Sequence, residues 1–161
     1  MKILGPERYA LKFDSKVCAV VCPRGLAKFS GIASTSIPKL YVILAGGNLL
    51  YVGITRQRMS ARLRLGFNAS GESGYHGYAW RHKFTEASLI IWGHDDAPPT
   101  EPSRDIETVE AEVVFLMRKS TGQWPAGQTE IHFHASTEVH REIAGTIWKT
   151  INESSENPKS K

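Results

Sequence analysis

Two phenols, a guanidinium and a carboxylate are the side chains in this sequence whose types suit work on a phosphate ester: Tyr41, Tyr51, Arg62 and Glu110. Hydrolysing a phosphodiester takes a deprotonated water, charge compensation at the phosphoryl oxygens and stabilisation of the leaving alkoxide. A metal-bound glutamate beside an arginine supplies the compensation. A tyrosine serves as base only if its pKa, near 10 in isolation, is lowered by a cation or its phenolate is stabilised by hydrogen bonds. Each residue alone also has a plainer explanation. Tyr41 and Tyr51 are then strand aromatics in a core, Arg62 a solvated helix residue, and Glu110 a partly exposed carboxylate reaching an arginine.

The elements that carry these side chains decide whether they meet. Lys39 to Leu44 and Leu49 to Thr55 are apolar, β-branched runs around Ala45-Gly46-Gly47-Asn48, which predicts a hairpin. A three-residue loop, Ala45-Gly46-Gly47, sets Tyr41 opposite Tyr51 on one face, whereas a two- or four-residue loop sets them on opposite faces. Met59 to Phe67 has Met59, Leu63 and Phe67 in helical register with Arg62 and Arg64 between them and Arg58 just before. Asp105 to Lys119 is the strongest helical pattern. Ile106, Val109, Val113 and Met117 share its apolar face, and Glu110 falls inside that stripe, about 40° from Ile106 on the helical wheel. Glu107 lies at the stripe's edge and Glu112 outside it. A carboxylate so placed is costly unless it is paired, metal-bound or at the mouth of a cleft. Phe115, on the far side, implies that the outer face is covered too.

Around these elements, Arg8 to Phe13 and Lys16 to Cys22 flank an Asp14-Ser15 turn and predict another hairpin, followed by a Gly, Ser and Thr-rich connector to Pro38. Tyr75 to Phe84 is expected as a short helix, Ala87 to Trp92 as a buried strand, and Ile131 to His134 as a strand with Ile131 and Phe133 inward. Thr137 to Ile151 is a helix with Ile143, Ile147 and Ile151 aligned, and the polar tail from Asn152 is expected to be disordered. The 161 residues suit one domain of the α+β (α/β) class, a small mixed sheet flanked by helices. Its expected parts are a β-hairpin extension over 1–38, a core over 39–125, a strand and helix packing on it over 126–151, and a tail over 152–161.

No run approaches the roughly 20 apolar residues of a membrane span, and the first residues lack a signal peptide's apolar centre, so a soluble cytoplasmic protein is expected. Cys18 and Cys22 lie too far apart in extended chain for a disulfide and read as reduced thiols. Net charge is +4, unevenly spread: residues 1–64 hold 11 Lys or Arg against Glu7 and Asp14, a balance of +9, and the rest a balance of −5. A polyanion would meet a basic N-terminal half; an ordinary solvated surface is the alternative.

Lys39-Leu40-Tyr41, then Tyr51-Val52-Gly53, then Arg62 on its helix and Val109-Glu110-Ala111-Glu112 on another, resemble the GIY-YIG nuclease superfamily over residues 39–125. That family includes homing endonucleases, an excision-repair nuclease and type II restriction enzymes. The resemblance implies a metal-dependent DNA endonuclease. Tyr41 would be the general base or water-orienting phenol, Tyr51 the second phenol at the phosphate, Arg62 the phosphate clamp, and Gly53 the point of close backbone approach. Glu110 would hold one divalent metal, Mg²⁺ or Mn²⁺, since carboxylate and water ligands suit such an ion. Thr55, Arg56, Arg58 and Arg64 would lie along the DNA, double-stranded or branched, and a homodimer is compatible with the family.

The departures are specific. Lys39-Leu40 replaces Gly-Ile, which strand pairing tolerates. Gly66 stands four residues after the arginine, where the family often has histidine or tyrosine. His76 could take part of that role, or be a surface loop histidine. The family's asparagine after the glutamate helix is not evident, and Gln123 is the candidate substitute. Gly66 and the missing asparagine motivate a second reading, a catalytically weakened DNA-binding or structure-recognising module; a purely structural interaction domain is a third. His132 and His134, with His140 downstream, form a weak zinc candidate lacking the rest of a ligand set. The serines of the connector lack a nucleophile elbow.

Overall fold

Gly46 and Gly47 both have positive φ, 57° and 77°, the conformation a tight two-residue hairpin turn requires. Strands β3 (Lys39–Ala45) and β4 (Asn48–Thr55) close on that turn, with Ala45 paired to Asn48. The loop therefore holds two residues rather than three, and an unbroken register would put the tyrosines on opposite faces. A bulge prevents this. Leu44 pairs with Leu49 but Ile43 with Tyr51, so Leu50 is an extra residue in β4, and beyond it Tyr41 faces Gly53. One inserted residue flips every side chain that follows. Tyr41 and Tyr51 thus share a face, as diagonal neighbours.

In the computed structural model, residues 1–14, 18–71, 77–96 and 104–156 are described. Besides β3 and β4, they form β1 (Ile3–Phe13), β2 (Cys18–Val21), β5 (Glu86–His94) and the helices α1 (Met59–Asn68), α2 (Arg104–Thr121) and α3 (Glu138–Glu156). The five strands make one sheet in the order β2-β1-β5-β3-β4. The α+β class is as expected, but every pairing is antiparallel where a mixed sheet was anticipated. The reason is that β5 enters between β1 and β3 and runs opposite to both.

Side chains alternate across the sheet into two cores. On one face Tyr9, Leu11, Tyr41, Ile43 and Leu89 pack with Met59, Leu63 and Phe67 of α1. On the other, Leu40, Val42, Val52 and Ile90 pack with Ile106, Val109 and Val113 of α2 and Ile147 and Ile151 of α3. Strand β3, covered on both faces, is buried at all seven residues. Even Lys39 is enclosed: its Nζ donates to the Thr35 and Ile37 carbonyls at 2.8 Å each, and burial pulls its pKa down to about 8.

Several expectations change. The first hairpin is not an appended extension, because β1 pairs with β5 inside the sheet. Its connector is pinned: the Glu7 carboxylate accepts from the Ile32 and Ala33 amides, at 2.8 and 3.1 Å, across the 3-10 turn Gly31–Ser34. Residues 131–134 form no strand, since the edge of β4 is already met by Gly127, whose amide donates to the Leu50 carbonyl at 2.7 Å, and by Gln128. Phe133 is 63% exposed and Phe115 49%, so neither packs inward. Helix α3 continues past Ile151 to Glu156, with Arg8 donating to Ser154 Oγ at 2.7 Å, so the start of the expected tail is ordered. Between Tyr75 and Phe84 the described residues hold only the 3-10 turn Ala79–His82. Among the described residues, no helix is long and apolar enough to cross a membrane.

Candidate active site

Strand β3 and α1 bring Tyr41 and Arg62 together, and the Arg62 Nε donates to the Tyr41 hydroxyl at 3.2 Å. Hydrogen bonds with one charged partner contribute about 1.5–3 kcal/mol. Arg62 is placed for this by α1: Met59, Leu63 and Phe67 bury one side of the helix, and Arg62, one residue short of Leu63, projects from its flank toward the sheet. The Tyr51 ring lies 5.8 Å from that of Tyr41, centroid to centroid. Both rings need Gly53. A Cβ there would come within 2.5 Å of the Tyr51 ring and 2.9 Å of Tyr41 Cζ and hydroxyl. The close approach at Gly53 is thus made by two phenols.

Tyr41 is 0% exposed, and its hydroxyl is engaged by Arg62 and by the hydroxyl of Tyr78 at 3.0 Å. Burial, then Tyr78, pushes its pKa well above 10, with Arg62 opposing. Tyr51 is half-buried and its pKa is raised too, by burial first and by neighbouring Tyr41, again against Arg62. Both phenols keep their protons in this arrangement, which argues against either as a phenolate base in the free protein. Tyr51 is the one of the pair that solvent reaches.

Tyr78 was not anticipated. Its ring lies 5.7 Å from Tyr51 and stacks on Trp80 at 5.0 Å, and the Arg62 guanidinium sits 5.8 Å from its centroid. It fits because residue 66 is glycine: a Cβ there would lie 2.1–2.7 Å from the Tyr78 ring. The Tyr78 amide and the Arg81 guanidinium both donate to the Gly66 carbonyl, closing the C-terminal end of α1, where a cation is favourable. A glycine on the arginine's helix, with aromatics downstream, was the available signal.

From the other face of the sheet, α2 supplies Glu110, 8% exposed. Its carboxylate makes no hydrogen bond or ion pair of its own among the described residues, although Arg62 and Tyr51 are within electrostatic range. Burial, then the charge of Glu107 one turn before it, raises its pKa to about 8, while Arg62 lowers it. Glu107 is itself met by His134 Nε2 at 2.9 Å and His132 Nδ1 at 3.7 Å. These histidines therefore steady a carboxylate beside Glu110. No group of three or more His, Cys, Asp or Glu is placed to hold a metal ion among the described residues, and the zinc candidate gains nothing. A hard ion that keeps most of its water needs only one or two carboxylates, and a buried, unpaired Glu110 fits that demand.

Thr55 ends β4, its Oγ1 accepting from the Gln57 amide at 3.0 Å, and Arg56 follows it half-buried. Arg58, at the N-terminal cap of α1, and Arg64, within α1, are both exposed. Gln123 is exposed just beyond the end of α2 and takes no part in the cluster. The amide side chain that does reach β4 is Gln128, whose Oε1 accepts from the Val52 amide at 3.1 Å. His76 lies outside the described residues. No family model matches the chain, and no curated protein or solved structure is significantly similar to it.

Proposed function

We propose that this chain is a metal-dependent DNA endonuclease of the GIY-YIG type, hydrolysing phosphodiester bonds, in the first instance as a restriction-type enzyme. The observation that carries this reading is convergence. Arg62 is hydrogen-bonded to Tyr41, the Tyr51 ring packs beside Tyr41, and Glu110, buried and without a side-chain partner among the described residues, lies within electrostatic range of Arg62 and Tyr51 from the opposite layer. A core built only for stability has little reason to leave a carboxylate so placed.

In this reading Arg62, steered by Tyr41 and Tyr78, compensates charge on the phosphoryl oxygens. Tyr51 presents its hydroxyl to the phosphate or the attacking water as a hydrogen-bond donor. A Mg²⁺ or Mn²⁺ ion held by Glu110 would supply Lewis-acid compensation. The raised pKa values of both phenols favour, as a second reading, a weakened enzyme retained for DNA recognition. Incubating the purified protein with plasmid and branched DNAs, in Mg²⁺ or EDTA, beside Glu110→Ala separates the two. Metal-dependent cleavage lost in the variant supports the enzyme; cleavage undiminished in EDTA and in the variant overturns the role of Glu110.

A further inference from the structure

Beside α1 lies a groove of about 750 Å³, walled on the other side by β2 and the segment leading into the Gly31–Ser34 turn. That volume falls within the usual range of small-ligand sites, ~300–1,000 Å³. Leu63, Phe67 and Phe29 give it an apolar lining, and Lys28, Arg58 and Arg64 stand on its walls. Among the described residues, no aspartate or glutamate lines it. None of these three cations makes a side-chain hydrogen bond or ion pair among the described residues, so no described residue answers their charge. The wall is firm rather than slack, because Phe29 packs edge-on against Tyr9 at 4.9 Å and Glu7 holds the turn that follows.

We infer that this groove takes an unpaired nucleotide of a DNA strand, its base against Phe29 and the apolar lining and its phosphates among Lys28, Arg58 and Arg64. Unpaired cations call for an anion, and an apolar floor calls for a flat apolar face; a nucleotide outside a duplex offers both together. A paired duplex turns its bases inward and meets such a groove only with phosphates. The groove also adjoins the candidate active site through α1, since Arg62 and Arg64 leave the same helix on different sides. The inference rests on the nuclease reading for the identity of the polymer, DNA, but not for the binding itself.

The test is binding in EDTA, where no cleavage is possible, of a fluorescent short oligothymidylate and of a blunt duplex to wild type, Phe29→Ala and Lys28→Ala. The inference expects both variants to weaken the oligothymidylate ~5-fold or more, in line with the loss of one stacked base or its phosphate contact, and the duplex much less. Lys28 is exposed and has no side-chain partner among the described residues, so its variant keeps the test valid if Phe29→Ala unfolds. Equal affinity of folded Lys28→Ala and wild type for oligothymidylate would overturn the inference, as would displacement of the oligothymidylate by an oligoglutamate peptide at equal concentration, which would make the groove an acidic-peptide site. Failure of the nuclease reading shows separately, as absence of cleavage by wild type in Mg²⁺ with oligothymidylate binding intact.

Discussion

The ring of Tyr78 lies where a side chain at residue 66 would have to go, its atoms 2.1–2.7 Å from the position of a Cβ on Gly66. The phenol so admitted reaches the Tyr41 hydroxyl at 3.0 Å. A helix glycine that reads in the sequence as a lost contact is, in the fold, the opening for a contact from elsewhere.

Gly66→Ala therefore acts on Tyr78 before it acts on the helix. Alanine favours an exposed helix over glycine by about 1 kcal/mol, but here the methyl group meets a ring, and overpacking costs about 1–3 kcal/mol. The variant is expected to melt at a lower temperature than wild type. Tyr78→Phe, which keeps the ring, should lose only about 0.5–1.5 kcal/mol for its hydroxyl. Thermal melts of the two variants and their double mutant check this; a stabilised Gly66→Ala would mean that Tyr78 moves aside without cost.

Gly53→Ala makes the same point at the centre of the site. Its methyl group would meet the Tyr51 and Tyr41 rings, neither of which can yield without disturbing the other or Arg62. The protein should fold less stably and cleavage should fall by more than the stability loss explains. Cleavage at a temperature where circular dichroism shows the variant fully folded is the measurement, and a wild-type rate there would detach the tyrosines from the chemistry.

The strands, three helices and two amphipathic faces were legible because Leu40, Val42, Ile90, Ile106 and Val113 repeat with clear periods. Glu110 inside an apolar stripe was legible for the same reason. The bulge at Leu50 was not, since Leu49 and Leu50 give no sign of which is the extra residue, and it alone restores the tyrosines to one face. The place of β1 inside the sheet, the pairing of Gln128 with Val52 and the arrival of Tyr78 at Tyr41 are all made across long stretches of chain. Local pattern does not carry such pairings. Residues 131–134 alternate like a strand, but no strand edge is left for them, so tertiary competition overrode the pattern.

Glu110 makes stability depend on pH in a definite direction. Its pKa rises from 4.5 to about 8 on folding, so between those values the folded chain holds a proton that the unfolded chain has released. Stability then falls as pH rises through that window, and the full penalty stands above pH about 8. Glu110→Gln removes the ionisation: it should melt progressively higher relative to wild type from pH 5 to pH 9. Mg²⁺ should raise the melting temperature of wild type but not of the variant, with tighter apparent binding as pH rises toward 8, because the ligand must lose its proton. Parallel melting curves for the two proteins across this range would contradict the burial argument.

The tyrosine pair gives the sharpest separation of roles. Tyr41 is fully buried and bonded to Arg62 and Tyr78, whereas Tyr51 is half-buried with solvent access. Tyr41→Phe removes an acceptor from a guanidinium and should lower both the melting temperature and the cleavage rate, through a displaced Arg62. Tyr51→Phe removes no hydrogen bond of comparable strength, so its melting temperature should stay near wild type. If the Tyr51 hydroxyl steers the water's proton, its loss slows single-turnover cleavage by ~10²- to 10⁴-fold; if it only holds phosphate, the loss is about tenfold. Rates with saturating DNA and metal, set beside melts of each variant, distinguish these. A Tyr41→Phe protein that melts like wild type yet cannot cleave, beside a fully active Tyr51→Phe, would return the proton-handling role to Tyr41 and require it to become accessible when DNA binds. Wild-type rates for both would make the tyrosines core aromatics and leave Arg62 and Glu110 to account for any hydrolysis.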